Sequence, residues 1–256
     1  MPLSVRAATA LKPGEAGSVK VTLKDGRRFE LDARIEETRP SATLIAKNIQ
    51  ASQAGTASHI ALSDSDQLPQ DAVLAFSIRT AAPQSFSRGS QIEVATADGA
   101  FSSLLSTDAG TVMLADAHVA VARLDPAKAF GPSAFGPLRF RVVQDGVPGS
   151  WGPLATLVRL PRLMSLECPA TADVACRLSG TDLFLLDTIS ADRQFHTAVQ
   201  VPDGFPGGTL PVPHPVAGNL FIRLRDDPAT VNAASLSAQI LPAPATPPVP
   251  AGAGPG

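Results

Sequence analysis

The residues able to do chemistry in this chain are few and scattered. Cys168 and Cys176 are its two cysteines, separated by Pro169-Ala-Thr-Ala-Asp-Val-Ala175 and set at the facing ends of two apolar runs. Joined, they would close a small loop and stabilise the fold by about 2.5 kcal/mol, by restricting the unfolded chain. Such a bridge implies an oxidising compartment, the periplasm or the cell exterior. The alternative is a pair of reduced, half-buried thiols. For a metal they lack Cys-x-x-Cys spacing, and no close histidine supports them. The histidines, His59, His118, His196 and His214, form neither His-x-His nor His-Glu-x-x-His. His118 reads as a packed or edge histidine of a strand, and His214 lies in the extended Pro211-Val-Pro-His-Pro215.

Enzyme signatures are missing from the sequence. No Gly-x-Ser-x-Gly supplies a nucleophile elbow. The glutamates at 15, 30, 36, 37, 93 and 167 are too dispersed to suggest the paired carboxylates of a glycosidase. No glycine-rich phosphate loop precedes a helix, so nucleotide binding is unsupported. Asp64, Asp66 and Asp71 share a loop and are the weak calcium candidates. Calcium wants roughly six to eight oxygens and the EF-hand pattern is missing, so solvated turns are the simpler reading. Trp151 is the one tryptophan, bracketed by Gly149-Ser150 and Gly152-Pro153. It is either an exposed ring for stacking on a ligand or a strand-edge plug. No catalytic residue and no cofactor are expected.

The elements that must hold these residues are short strands. Among 256 residues there are 24 prolines and 20 glycines, enough to interrupt any long helix. Charged residues are only 17% of the chain, and Val, Leu, Ile, Thr and Phe fill the runs between breakers. The apolar fraction of 44% is ample for ordinary cores. A net charge of −2, with both signs dispersed, leaves no electrostatic footprint for nucleic acid. No run approaches the ~20 apolar residues of a membrane-spanning helix, so no membrane insertion is expected. The N-terminus has neither the basic head nor the apolar core of a signal peptide. It reads as if entered in mid-fold, which suggests a piece of a longer exported chain.

Residues 1–38 predict a β-hairpin, a remnant of a preceding module or packed on the next. Asp25-Gly26 supplies its type I′ turn. Residues 39–160 predict a β-sandwich of seven or eight strands with turn signals between them. Residues 161–240 repeat the scheme after Pro161, and 241–256 form a Pro/Ala/Gly-rich disordered tail. A ten-residue pattern, Gly-x-Leu-x-x-Arg-x-x-x-Asp, occurs once in each sandwich, at Gly136–Asp145 and Gly218–Asp227. It suggests that both sandwiches close with a similar late strand.

Pro161-Arg-Leu163-Met-Ser-Leu166 opens the last module, and Cys176-Arg-Leu-Ser-Gly180-Thr-Asp-Leu-Phe184 follows. In these residues, 162–240 resembles the IPT/TIG type of immunoglobulin-like domain common in bacterial surface proteins. There a strand ends in a Gly-Thr-Asn-Phe-like turn; here the turn is Gly180-Thr-Asp-Leu183. The middle region is generically immunoglobulin- or fibronectin-like. The expectation is therefore an all-β chain of tandem immunoglobulin-like β-sandwiches with short loops. Its expected role is non-catalytic: a structural, spacer or adhesion segment of an exported protein, periplasmic or extracellular, with a protein or cell-surface partner. A glycan- or peptide-binding module is the first alternative, and an assembly subunit pairing through the hairpin is the second. Function would sit in the loops at 63–71, 98–110 and 202–209 or on exposed strand edges.

Overall fold

The computed structural model describes residues 16–34, 39–50, 60–171, 173–215 and 218–241. The tail expected at 241–256 lies outside these, apart from Leu241, as do residues 1–15 and 35–38. The first two strands, β1 (Ala16–Thr22) and β2 (Arg28–Arg34), form an antiparallel hairpin. Gly26 takes φ +85° in its turn, as an Asp-Gly corner requires. Phe29 and Leu31 remain exposed on the hairpin.

The first sandwich contains β3 (Thr43–Gln50), β5 (Gln67–Pro69), β6 (Val73–Arg79), β7 (Gln91–Thr96) and β8 (Ser102–Ser106). The short strand β4 (Ile60–Ala61) lies between the first two in sequence. It continues with β9 (Val112–Leu114), β10 (Val119–Leu124), the one-turn helix α1 (Pro126–Phe130), β11 (Gly136–Gln144), β12 (Val147–Pro148) and β13 (Gly152–Val158). One sheet runs β3-β6-β10-β9 and the other β5-β13-β11-β7-β8, with β12 on β11. Strict alternation in β6, β7, β10 and β11 turns Leu74, Phe76, Ile78, Ile92, Val94, Leu124, Leu138 and Phe140 into one core. The Phe76 and Phe140 rings meet there at 6.1 Å, tilted by 55°.

The second sandwich follows with β14 (Arg162–Pro169), β15 (Cys176–Thr181), a 3₁₀ turn at Leu183–Leu185 and β16 (Leu186–Ser190). Then come β17 (Ala198–Gln200), β18 (Thr209–Val212), β19 (Asn219–Leu224), β20 (Asp227–Ser235) and β21 (Ala238–Leu241). Its sheets are β18-β15-β14-β21 and β17-β16-β19-β20-β4. Gly180 on β15 faces the carbonyl of Arg162. A Cβ there would fall 2.4 Å from that oxygen, so only glycine lets the two strands approach.

Several expectations are corrected. Residues 102–106, expected in a loop, form the edge strand β8, because pairing with β7 and burial of Leu105 outweigh the turn tendency of their serines. The loop at 63–71 contains β5, which pairs in parallel with β13. The run Leu183–Ile189 begins as a 3₁₀ turn after Asp182, whose φ is +58°. The strand β20, opening on Asp227-Pro228 and rich in Ala, carries only Thr230 and Val231 of the usual strand residues. Residues 57–62 read as a strand of the first sandwich. Of these the structure describes 60–62, and Ile60–Ala61 pairs with Ala234 and Ala233 on the edge of the second sandwich.

Candidate functional site

The strand β4 is the start of a seam between the sandwiches. Ile60 is buried in the second core and Leu62 packs against it, although β3 and β5, the strands before and after β4 in sequence, belong to the first sandwich. Immediately after it, the Ser63 amide donates to Asn232 Oδ1 at 2.9 Å, and the Ser63 hydroxyl donates to the Val231 carbonyl at 2.7 Å. Gln67 Nε2 then donates to Asp227 Oδ2 at 2.9 Å. The return crossing is equally tight. Val158, the last residue of β13, is buried in the second core. Arg159 next to it meets Asp226 through its backbone amide and through a two-pronged guanidinium contact at 2.9 and 2.6 Å. The Asp226 side chain is only 1% exposed, so its charge is held against Arg159 away from water. The same guanidinium lies 4.2 Å from the Phe135 ring of the first sandwich.

Arg225 continues the network inside the second sandwich. It donates to the carbonyls of Phe184, Val201 and Leu186, at 2.9, 2.9 and 3.2 Å, and pairs with Asp203. Phe135, whose ring lies against Arg159, and Phe184, whose backbone carbonyl accepts from Arg225, are both exposed rings. Two buried amide atoms in the seam, Gln67 Oε1 and Asn232 Nδ2, have no hydrogen-bond partner among the described residues.

Trp151 sits on the outer side of β11, half-buried. The guanidinium of Arg141 lies 4.2 Å from its ring centroid and that of Arg139 4.4 Å. Arg141 also pairs with Glu93 at 2.6 Å. Two cations against one ring stabilise the outer sheet face and occupy ring area that a sugar would need. Asp64, Asp66 and Asp71 are not drawn together. Asp64 Oδ1 accepts the Asp66 amide in a tight turn, and Asp66 is paired with Lys47 at 2.7 Å.

His59 lies outside the described residues, and His118 and His196 are tied to backbone and a half-buried carboxylate. His118 lines an open groove of about 490 Å³ with Asp116 and Arg79. Its Nδ1 rests 2.9 Å from the Gln84 carbonyl, and the Asp116 carboxylate accepts two backbone amides. His196 Nδ1 lies 3.0 Å from Asp192, but the histidine side chain is 77% exposed. Ser190 bonds that same aspartate rather than the histidine, so the three do not form a nucleophile–base–acid relay. Burial works to raise the Asp192 carboxyl. It is outweighed by the His196 amide, the Ser190 hydroxyl, the Thr197 amide and the His196 ring, which hold it at about 2. Asp192 is thus the hub of a shaped loop. At the tip of that loop Phe195, at φ +61°, places its ring 4.3 Å from the Arg223 guanidinium.

Cys168 and Cys176 are joined in a disulfide, and both are buried. The sequence offered no nearby histidine, yet the fold brings one. His214 lies beside the bridge, with one ring nitrogen and both sulfurs all within 4.8 Å of one another. Among the described residues this is the one set of three metal-type ligands whose donor atoms converge. The signal was present in part: hairpin pairing of β14 with β15 aligns the cysteines, and β18 ends two residues before His214.

No protein-family model matches the chain, so the IPT/TIG resemblance rests on the residues of 162–240 alone. No curated protein matches it either. Among solved structures, the chain is similar to the SGBP-B of the Bacteroides ovatus mixed-linkage glucan utilization locus, in complex with a mixed-linkage heptasaccharide. The identity is 11% and the TM-score 0.23, over 90% of this chain and 55% of that one. This chain therefore spans about half the length of that structure. A likeness at that score says nothing about what this chain binds. No helix among the described residues is long and apolar enough to cross a membrane.

Proposed function

We propose that this chain is a non-catalytic, rigid spacer of two immunoglobulin-like sandwiches within an exported protein. It would hold flanking domains or its own end loops at a set distance and angle. The observation that carries this reading is the seam. A flexible linker would leave each sheet complete in its own sandwich, whereas here β4 extends the second sheet and Arg159 is clamped on a buried aspartate. The buried disulfide fits an oxidising location. The scattered histidines and the His196–Asp192 pair in open solvent favour a non-enzymatic role over catalysis.

The test is calorimetry. A rigid spacer unfolds its two sandwiches in one coupled transition, and a seam-breaking Ile60→Asp change splits it into two. Two independent transitions in the unaltered protein would defeat the reading.

A second reading is ligand binding, through the exposed Phe135 and Phe184. It predicts that soluble polysaccharides or peptides retard the protein in affinity electrophoresis. Retardation should be lost in Phe135→Ala with Phe184→Ala. Persistence in that double variant would remove the seam as the binding surface. Pairing through the hairpin, with Phe29 and Leu31 exposed, predicts concentration-dependent dimers in ultracentrifugation.

A further inference from the structure

The group formed by Cys168, Cys176 and His214 is explained by neither the spacer reading nor the disulfide alone. The hairpin register pairs Glu167 with Arg177, which sets Cys168 opposite Cys176 at a Cα separation of 4.2 Å. On the other side of β15, Cys176 pairs with Val212 of β18. His214 follows after Pro213 and is itself followed by Pro215. The prolines fix their own φ angles and hold the histidine extended, so presenting its ring costs little further entropy. Its Nε2 is buried and without a hydrogen-bond partner among the described residues, and one of its ring nitrogens lies within 4.8 Å of both sulfurs. A disulfide sulfur offers a poor acceptor, so the oxidised state leaves this nitrogen unsatisfied.

We propose that, when the Cys168–Cys176 bond is reduced, the two cysteine thiolates and His214 Nε2 hold one zinc ion. The chemistry balances with a dithiol reductant. The S–S bond takes two electrons and two protons and becomes two thiols, while the reductant closes its own disulfide. Zinc then displaces both thiol protons to solvent and forms two Zn–S bonds and one Zn–N bond to neutral imidazole. Donor atoms of a tetrahedral zinc stand roughly 3.5–3.8 Å apart, within reach of side-chain rotation once the sulfurs part. Two thiolates and a dication sum to no net charge, which suits cysteines that are 0 and 1% exposed. Three protein ligands leave a fourth position for water. The two cysteines thus fasten β14 to β15 covalently when oxidised, and all three residues fasten β14, β15 and the segment after β18 through metal when reduced.

The experiment titrates cobalt(II), then zinc(II), into the whole chain reduced with a phosphine, beside the disulfide form. The reduced protein should bind one ion per chain with thiolate-to-cobalt absorption in the near ultraviolet and intense tetrahedral bands in the visible. Zinc should displace it. The disulfide form should give no such bands. His214→Ala should weaken binding at least ~10-fold, and Cys168→Ser with Cys176→Ser should abolish it. Circular dichroism accompanies each sample. A reduced chain that unfolds and refolds on adding zinc supports the site. Absence of thiolate bands, equal binding by the disulfide form, equal binding by His214→Ala, or a reduced chain that zinc fails to refold each overturns it.

Discussion

Gly136 and Gly218 open the same ten-residue pattern in the two sandwiches, and the two stretches behave alike only part of the way. Both glycines take positive φ, +92° and +80°, where a side chain would be strained. Leu138 and Leu220, two positions on, are both buried at the centre of their cores. Arg141 and Arg223 both lie outside the core against an aromatic ring, Trp151 in one and Phe195 in the other. Then the stretches part. Asp145 turns a tight hairpin with Gly146, at φ +50° and +80°. Asp227 instead takes the Gln67 side chain across the seam, beside the Asp226–Arg159 pair. A repeated pattern therefore reports the strand that both cores require. What joins the sandwiches is carried by Asp226 and Arg159, which do not repeat, and by Asp227, which repeats in type but not in use.

The sharpest way to break this comparison is to remove the joint. Arg159→Ala leaves Asp226 buried without its counter-ion and should cost about 3–5 kcal/mol in urea denaturation, with loss of a single shared transition. A cost below ~1 kcal/mol would mean that the seam holds nothing.

The shared half of the pattern is tested by Leu138→Ala against Leu220→Ala. Each should cost about 2–5 kcal/mol, by lost burial and the cavity left behind, and the two costs should agree within about 1 kcal/mol. A larger gap would show that the matched positions do unlike work.

Much of the shared half was legible beforehand. Short runs between turn residues marked β6, β7, β10, β11 and β19, and Asp25-Gly26 marked the hairpin corner. The one-turn helix α1 follows Asp125, whose carboxylate accepts the Lys128 amide. The seam was not legible. Ile60 lies in a short apolar run, Ile60-Ala-Leu62, as many strand residues do, and nothing in that run names the sheet it joins. The strand β20 was hidden for a related reason: Ala233 and Ala234 lie in a strand because their neighbours pair with them, against weak propensity. His214 was visible only as a constrained residue. Its ligand-like setting arises across three strands, and sequence spacing does not carry such a relation.

Smaller effects sharpen the comparison at its divergent end. Arg141→Ala should cost more than Arg223→Ala, both within about 0.5–2 kcal/mol, because Arg141 loses the Glu93 pair as well as its ring. Equal costs would make the Glu93 contact idle.

The smallest effect concerns Asp192, which has no counterpart in the first sandwich. Its carboxyl is held at about 2 when folded, below its usual 3.8. The stabilisation is present above the usual value and is lost as pH falls through about 2. Between those values the unaltered protein should lose stability more steeply than Asp192→Asn, read as denaturant midpoints against pH. Parallel curves would show that the loop does not depend on that charge.

The central claim is that the sandwiches form one rigid body, and residual dipolar couplings test it most directly. Backbone amide couplings from the first sandwich, 43–50 and 67–157, and from the second, 162–241, should fit one common alignment tensor. Two tensors of different magnitude or orientation would show the sandwiches moving independently, and would contradict the account.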